Sequence, residues 1–245
     1  MKVNKRWVIF SVAFFHLFSP TIVQATEIDS LLSNFTGTSD TVKLYLFLGL
    51  LGVIPAFLIL TTSFTRIIIV LSFLRSSMGT QQSPPNQVLI GLALFLSIFI
   101  MQPVYSVVYD EAIDPFINDE ISMETAFSRA EEPISSFLLE HTREKDLKLF
   151  LDLAEKSTEN LQPEDVPLTT LIPAFAISEL RTAFTIGFLI FIPFLIIDMV
   201  VASILMSMGM FMLSPVMISL PFKLLLFVLV DGWYLVVESL VQGFQ

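Results

Sequence analysis

Charged side chains inside the long apolar runs are the first candidates for chemistry in this sequence. Each such charge costs roughly 2.5–3.5 kcal/mol on membrane-insertion scales unless it is paired or hydrated. The candidate set comprises Arg66, Glu179, Arg181, Asp198, Lys223 and Asp231. Charges that are close in sequence cannot form ion pairs with one another. Glu179 and Arg181 point to different faces of a helix, and Lys223 lies about two turns from Asp231. We therefore expect partners on other helices or in other chains, with a proton pathway or snorkelling at helix ends as alternatives.

A second candidate is a methionine-rich stretch, MSMGMFMLSP, at residues 206–215. Methionines occupy every second position and flank one phenylalanine: Met206, Met208, Met210, Phe211 and Met212. The residues alone favour gap-filling in a helix contact, since Met is flexible and unbranched. A deformable seal that closes a pore is the second interpretation, and Gly209 and Pro215 would keep such a segment from forming a rigid helix. A Cu(I) site is the third, because thioethers are soft ligands.

Catalytic and metal-binding constellations are not visible in the sequence. It contains no H-E-x-x-H motif, no Gly-rich phosphate loop and no candidate Ser-His-Asp set. The lack of cysteine excludes thiolate zinc and iron–sulfur sites, and His16 and His141 are too few for a histidine site. We therefore predict neither an enzyme nor a bound cofactor or metal. The formal net charge of −10 also disfavours nucleic-acid binding, which depends on neutralising phosphates.

The composition indicates an integral membrane protein. Hydrophobic residues make up 54% of the chain and charged residues only 15%, whereas a soluble domain has about 25% charged residues. The apolar residues also occur in runs long enough to be membrane spans. An all-α membrane protein is therefore predicted.

The N-terminal residues are typical of a secretory signal peptide. Lys2, Lys5 and Arg6 precede a short apolar stretch, and Val23-Gln24-Ala25 suits cleavage after Ala25. An uncleaved first transmembrane helix is the alternative, although the apolar stretch is shorter than the roughly 20 residues that a span requires. We predict residues 1–25 to be a cleavable signal peptide.

The remaining chain divides by composition into four segments. These are a polar N-terminal segment (26–43), a first hydrophobic helical hairpin (44–109), an acidic region with amphipathic helices (110–167) and a second hydrophobic hairpin (168–245) whose Met-rich connector is 206–214. The first apolar run extends from Leu44 to Leu60, or to Leu74 if Arg66 is tolerated. Basic residues stay in the cytoplasm. The connector 75–87 and the Met-rich connector are therefore expected inside, and the acidic region outside.

Two long blocks of this sequence closely resemble the FliP family of flagellar type III export proteins. They are TSFTRIIIVLSFLRSSMGTQQSPPNQVLIGLALFLSIFIMQPVY (62–105) and ISELRTAFTIGFLIFIPFLIIDMVVASILMSMGMFMLSPVMISLPFKLLLFVLVDGW (177–233). The resemblance covers nearly all of the mature chain. It implies bent helical hairpins that assemble as a helical, pore-bearing ring.

The resemblance also implies partners and a role. Family members form a five-copy ring with one FliR and several FliQ chains, beside FlhA and FlhB, in the flagellar basal body at the bacterial inner membrane. Unfolded flagellar subunits pass through this export gate. In the family the methionine-rich loop lines the central constriction, and Met206, Met208, Met210 and Met212 match it with Phe211 beside them.

Two other classes of function compete with an export gate. The first is a proton-coupled small-molecule transporter that uses Asp198 and Asp231 within the membrane. The second is a structural scaffold of the basal body without a conduit. A transporter should work as a monomer or dimer, whereas a gate subunit should be stable only in a ring with its partners.

Overall fold

A computed structural model describes residues 45, 48, 49, 52, 53, 55–80, 82–154 and 166–244. The predicted signal peptide with its cleavage at Ala25, and the predicted polar segment 26–43, lie outside the described residues. By its contacts the chain divides into two units, Met1–Ile54 and Pro55–Gln245. Every described residue of the first unit is helical.

The second unit is helical, and no strand occurs among its described residues, which confirms the all-α prediction. After a helical stretch at 55–60, its elements are α1 (Phe64–Ser77), α2 (Asn86–Ile100), α3 (Gln102–Val108), a π-helical turn (Tyr109–Ile113), α4 (Asp114–Ile117), α5 (Met123–Glu140), α6 (Glu144–Leu153), α7 (Leu168–Ser207), α8 (Pro215–Leu229) and α9 (Gly232–Gln242). The acidic region therefore supplies α4, α5 and α6, as its amphipathic pattern predicted.

Helix α1 lies at the centre of this unit. Its residues Ile67, Val70 and Leu71 recur at helical spacing and are fully buried. They pack against residues of α2, α7 and α9: Leu89, Ala93, Ala183 and Leu240. Further along, Leu74 packs with Phe194 of α7 and Phe227 of α8. One helix thus contacts both hydrophobic hairpins.

A polar turn at Thr61–Ser63 separates α1 from the helical stretch before it. The Thr61 and Thr62 hydroxyls donate to the carbonyls of Phe57 and Leu58, at 2.9 and 2.8 Å. Ser63 is fully buried, and its hydroxyl donates to Ser97 of α2 at 3.2 Å. Because these side chains satisfy backbone groups locally, the chain can turn inside the protein, and the first apolar run is divided near Leu60.

Two of the hydrophobic segments are sharply bent. The axes of α2 and of residues 102–117 differ by 57°, and those of α8 and α9 by 62°. At the first bend Pro103 has no N–H to donate to Phe99, and its ring disfavours a continuous helix. At the second bend Asp231 has φ 50°, and Gly232 leaves room for the Phe227 ring, which lies 2.2 Å from the position of a Cβ. These bends confirm the expected bent helices.

Helix α7 is much longer than a membrane span. Its 40 residues correspond to about 60 Å, roughly twice the hydrocarbon thickness of a bilayer. Pro173 and Pro193 lie inside it without interrupting it. Within the described part of the chain α7 is the one helix long and apolar enough to cross a membrane, and counting each bent pair as one span gives at most three.

Large hydrophobic side chains cover the outer faces of α7 and α8. Phe188 and Met199 on α7 are 65% and 64% exposed, and Leu229 on α8 is 75% exposed. Contiguous apolar surface of this kind marks contact with lipid or with other proteins. A single chain therefore leaves much of its apolar surface unburied.

The close parallel contact between α1 and α7 generates the first prediction. A Cβ at Gly187 would lie 2.6 Å from the Phe73 ring. We expect Gly187→Ala to lower the thermal unfolding temperature in detergent, with a cost of about 1–3 kcal/mol from overpacking. The matched control is Gly91→Ala inside α2, where a Cβ would meet nothing within 4 Å. That change should stabilise α2 by up to about 1 kcal/mol, and equal effects at both positions would contradict the prediction.

Candidate functional site

Arg66 of α1 and Glu179 of α7 form a buried ion pair. The Arg66 Nε donates to Glu179 Oε2 at 2.7 Å, and its Nη2 donates to Oε1. The two side chains are 6% and 0% exposed. This two-point contact matches the planar guanidinium to the carboxylate and joins residues 113 positions apart in the chain.

The C-terminal end of the described chain completes the surroundings of Arg66. Its Nη1 donates to the Gly243 carbonyl at 2.9 Å, and its guanidinium lies 3.7 Å from the centre of the Phe244 ring. Phe244 also stacks on Phe137 of α5, with ring centres 6.2 Å apart. Helices α1, α5 and α7 and the residues after α9 thus meet around one guanidinium.

A second cluster joins α7, α8 and the end of α1. The Lys223 ammonium donates to Asp198 Oδ2 at 2.6 Å and to the Ser77 carbonyl at 3.1 Å. The hydroxyl of Ser219, one turn before Lys223, lies 2.5 Å from Asp198 Oδ1 and 3.1 Å from the Val216 carbonyl, and it donates to the nearer and charged acceptor, Asp198. Lys223 and Ser219 are buried, and the Asp198 side chain is 21% exposed. We call these four residues the Asp198 cluster.

The other two charges of the candidate set are exposed. Arg181 lies on the solvent-accessible side of α7, and Asp231 lies at the bend between α8 and α9. Asp231 adopts a left-handed backbone conformation, and its carbonyl accepts the Leu235 amide at the start of α9. The structure therefore places Arg66, Glu179, Asp198 and Lys223 in two interhelical pairs and leaves Arg181 and Asp231 outside them.

The methionine-rich stretch connects α7 to α8 and is shaped by its Gly and Pro. Gly209 has φ 74°, and the amides of Gly209 and Met210 donate to the carbonyls of Met206 and Leu205, both at 3.0 Å. This is a Schellman motif, which ends a helix at a left-handed glycine. Pro215 then opens α8, where its missing N–H costs nothing. The connector between them is not a continuous helix.

The side chains of this connector are presented to the outside. Met212 is fully exposed and Phe211 is 77% exposed. The remaining members are between 41% and 66% exposed: Met206, Met208 and Met210. Within this chain these side chains are therefore only partly covered, and their exposed surface is available for packing against another molecule.

One polar cluster on the acidic helices was not predicted from the sequence. Ser178 of α7 donates to Asp146 Oδ2 at 2.6 Å and accepts the Arg143 amide at 3.1 Å. Arg143 also pairs with the same carboxylate. Burial raises the pKa of Asp146, but these hydrogen bonds and the Arg143 charge outweigh it and hold the pKa below its usual value. The spacing of Arg143 and Asp146, three apart at a helix start, was the available signal.

Metal-binding geometry is absent from the described part of the chain. No three histidine, aspartate or glutamate side chains there converge in a way that could hold an ion. The Asp198 carboxylate accepts from Ser219 and Lys223. What these clusters can do chemically is fix helices to one another and present the connector.

Comparison with known proteins identifies relatives along most of the chain. Residues 47–240 match the model of the FliP family. A flagellar biosynthetic protein FliP of Bacillus subtilis (strain 168) is 64% identical over 84% of this chain and 93% of its own length. Those of Pectobacterium carotovorum subsp. carotovorum and Aquifex aeolicus (strain VF5) are 59% and 52% identical, covering 83% and 84% of this chain and 79% and 87% of theirs.

The buried pair between α1 and α7 generates the second prediction. Glu179→Gln keeps the side-chain shape but leaves the Arg66 charge buried without compensation. We expect a loss of about 3–5 kcal/mol in the free energy of unfolding, measured by thermal or denaturant unfolding in detergent. Arg181→Gln, two residues along the same helix and exposed, should change stability by less than about 0.5 kcal/mol. A similar loss in both variants would show that the pair has no special role.

Proposed function

The chain belongs to the FliP family of flagellar biosynthetic proteins, and on that premise we propose that it is a pore-forming subunit of the flagellar protein-export gate. Unfolded flagellar subunits pass through this gate across the inner membrane. The Met-rich connector acts as its deformable seal. We assign no catalytic reaction to the chain.

The exposed connector is the observation that carries this proposal. Its uncharged stretch ends α7 and precedes α8, and its large side chains point away from the chain that bears them. Thioether side chains re-pack around irregular shapes at little cost. Several copies of the connector around one axis would close a pore against ions and still yield to a passing polypeptide.

Assembly with other chains is supported by the apolar surface of α7 and α8. Such surface needs lipid or protein to cover it, and one chain does not supply that cover. We propose a five-copy ring completed by FliR and FliQ chains, beside FlhA and FlhB in the basal body. In this arrangement the connectors of neighbouring copies meet at the axis.

The two ends of α7 support an orientation in the inner membrane. Near its start Ser178 bonds to Asp146 of the acidic helices, and at its end lies the connector. A Cβ at Gly79, in the turn after Arg75, would lie 3.7 Å from Val216 and 3.6 Å from Leu220 of α8, so this basic turn lies beside the start of α8 and shares one end with the connector. We propose that this end faces the cytoplasm and the acidic helices face the periplasm, in line with the positive-inside rule.

The length of α7 also bears on where the buried charges lie. A helix of about 60 Å extends well beyond the hydrocarbon layer of about 30 Å. We propose that the half of α7 around Glu179, which packs on the acidic helices, lies outside the hydrocarbon. The free-energy cost of burying the Arg66–Glu179 pair is then the cost of burial in a protein interior and not in lipid.

A proton-coupled transporter based on Asp198 and Asp231 has less support. Asp198 accepts from Lys223 and Ser219, so its carboxylate has a structural role in α7 and α8. Asp231 lies eight residues beyond Lys223, about 12 Å along the helical direction, and is exposed. Asp231 therefore does not belong to the Asp198 cluster, and the observed contacts of Asp198 favour a structural role over a relay.

The seal generates the third prediction. Replacing Met208 and Met210 together by Ala shortens two exposed side chains of the connector and should open a path for ions. We expect a rise in the resting conductance of membranes that contain the assembled complex. The matched control replaces Met199 and Met217 together by Ala. These two side chains are 64% and 67% exposed on the flanking helices, and their loss should leave the conductance at the parent level.

The amount of assembled complex must be equal in all variants for this comparison. A connector variant that assembles normally and conducts no more than the parent would contradict the seal. That outcome would favour a scaffold without a conduit.

A further inference from the structure

The backbone of the connector makes only short local hydrogen bonds, so its position depends on the helices on either side. Its amides bond to carbonyls at 204–206 and at Met210, and its Met212 side chain is fully exposed. A seal made from several copies requires each connector to extend the same distance toward the axis. Something must therefore fix α7 and α8 relative to each other near their connected ends.

The Asp198 cluster fixes the register of these two helices. Ser219 and Lys223 lie one turn apart on α8, and each donates to a different oxygen of the Asp198 carboxylate. A slide of α8 by one residue, about 1.5 Å, with its rotation of about 100°, would remove both contacts. Apolar contacts alone tolerate such slides, because they have no direction.

The same cluster connects the hairpin to α1. The Lys223 ammonium also donates to the Ser77 carbonyl, the last of α1, where the helix carries partial negative charge. In the turn that follows, a Cβ on Gly79 would lie 3.6 Å from Leu220 and 3.7 Å from Val216. The first turns of α8 are thus held against a helix that belongs to the other hydrophobic hairpin.

We propose that Ser219 is a positioning residue of the Met-rich connector. Its hydroxyl, together with Lys223, holds the Asp198 carboxylate in a two-point contact that sets how far the connector extends from α1. Ser219 is fully buried and carries no charge, so its loss removes one point of the contact and leaves the ion pair. This inference rests on the proposed function of the connector as a seal.

The test is a distance measurement in the assembled complex, with most copies unlabelled. The chain has no cysteine, so spin labels can be attached at Gln82→Cys, in the turn after α1, and at Met212→Cys in the connector. Ser219→Ala should broaden or shift the distance distribution between these labels by about one residue rise, ~1.5 Å, or more. The matched control is Ser203→Ala, since the Ser203 hydroxyl donates to the Met199 carbonyl within α7. This control should leave the distance distribution unchanged.

A second label pair distinguishes a shift of the connector from a general loosening of the helix packing. Labels at Gln82→Cys and Leu189→Cys report on α7 against the same turn and should keep the parent distribution in Ser219→Ala. An unchanged distance to Met212 in Ser219→Ala would overturn the proposal, and so would an equal change in both pairs. The conductance of the Met208 and Met210 variant tests the seal itself, so failure of the seal is distinguishable from failure of the positioning role.

Discussion

The parallel contact between α1 and α7 is the constraint on which the rest of the structure depends. Gly187 lets the Phe73 ring approach the α7 backbone, and Arg66 pairs with Glu179 near one end of this contact. A guanidinium buried without its carboxylate would be strongly unfavourable. The pair therefore determines which part of a 40-residue helix faces α1. The acidic helices, the end of α9 and the second hairpin all pack on elements whose positions it sets.

The buried charges fix the alignment of helices with one another, whereas the apolar surface of α7 and α8 stays exposed to lipid or other chains. The Arg66–Glu179 pair joins helices that are distant in sequence, and the Asp198 cluster joins two consecutive helices. In each, one carboxylate accepts two hydrogen bonds. Directional contacts of this kind specify one alignment, whereas the apolar stripes of α1 permit several. The exposed phenylalanines, leucines and methionines of α7 and α8 remain free for lipid or neighbouring chains. The helices aligned by these pairs thus carry the exposed Met-rich connector.

The sequence was sufficient for the helical class, because that depends on local periodicity. Gly209 and Pro215 lie where α7 has ended and α8 begins, as their conformational preferences allow. The sequence was insufficient for pairing, since Glu179 lies 113 residues from Arg66 and nothing local identifies its partner. Backbone acceptors such as the carbonyls of Ser77 and Gly243 carry no sequence signal at all. Ser219 could have been noticed as lying one turn before Lys223. The continuity of α7 through Pro173 and Pro193 depends on packing that overrides local preference.

The native mass of the detergent-extracted protein, expressed alone and with FliQ- and FliR-like chains, tests the export gate most directly. A gate subunit covers part of the exposed apolar faces of α7 and α8 with neighbouring chains, so a ring-sized species that gains mass when those chains are present is expected. A monodisperse monomer or dimer whose mass is unaffected by the partner chains would contradict a gate subunit.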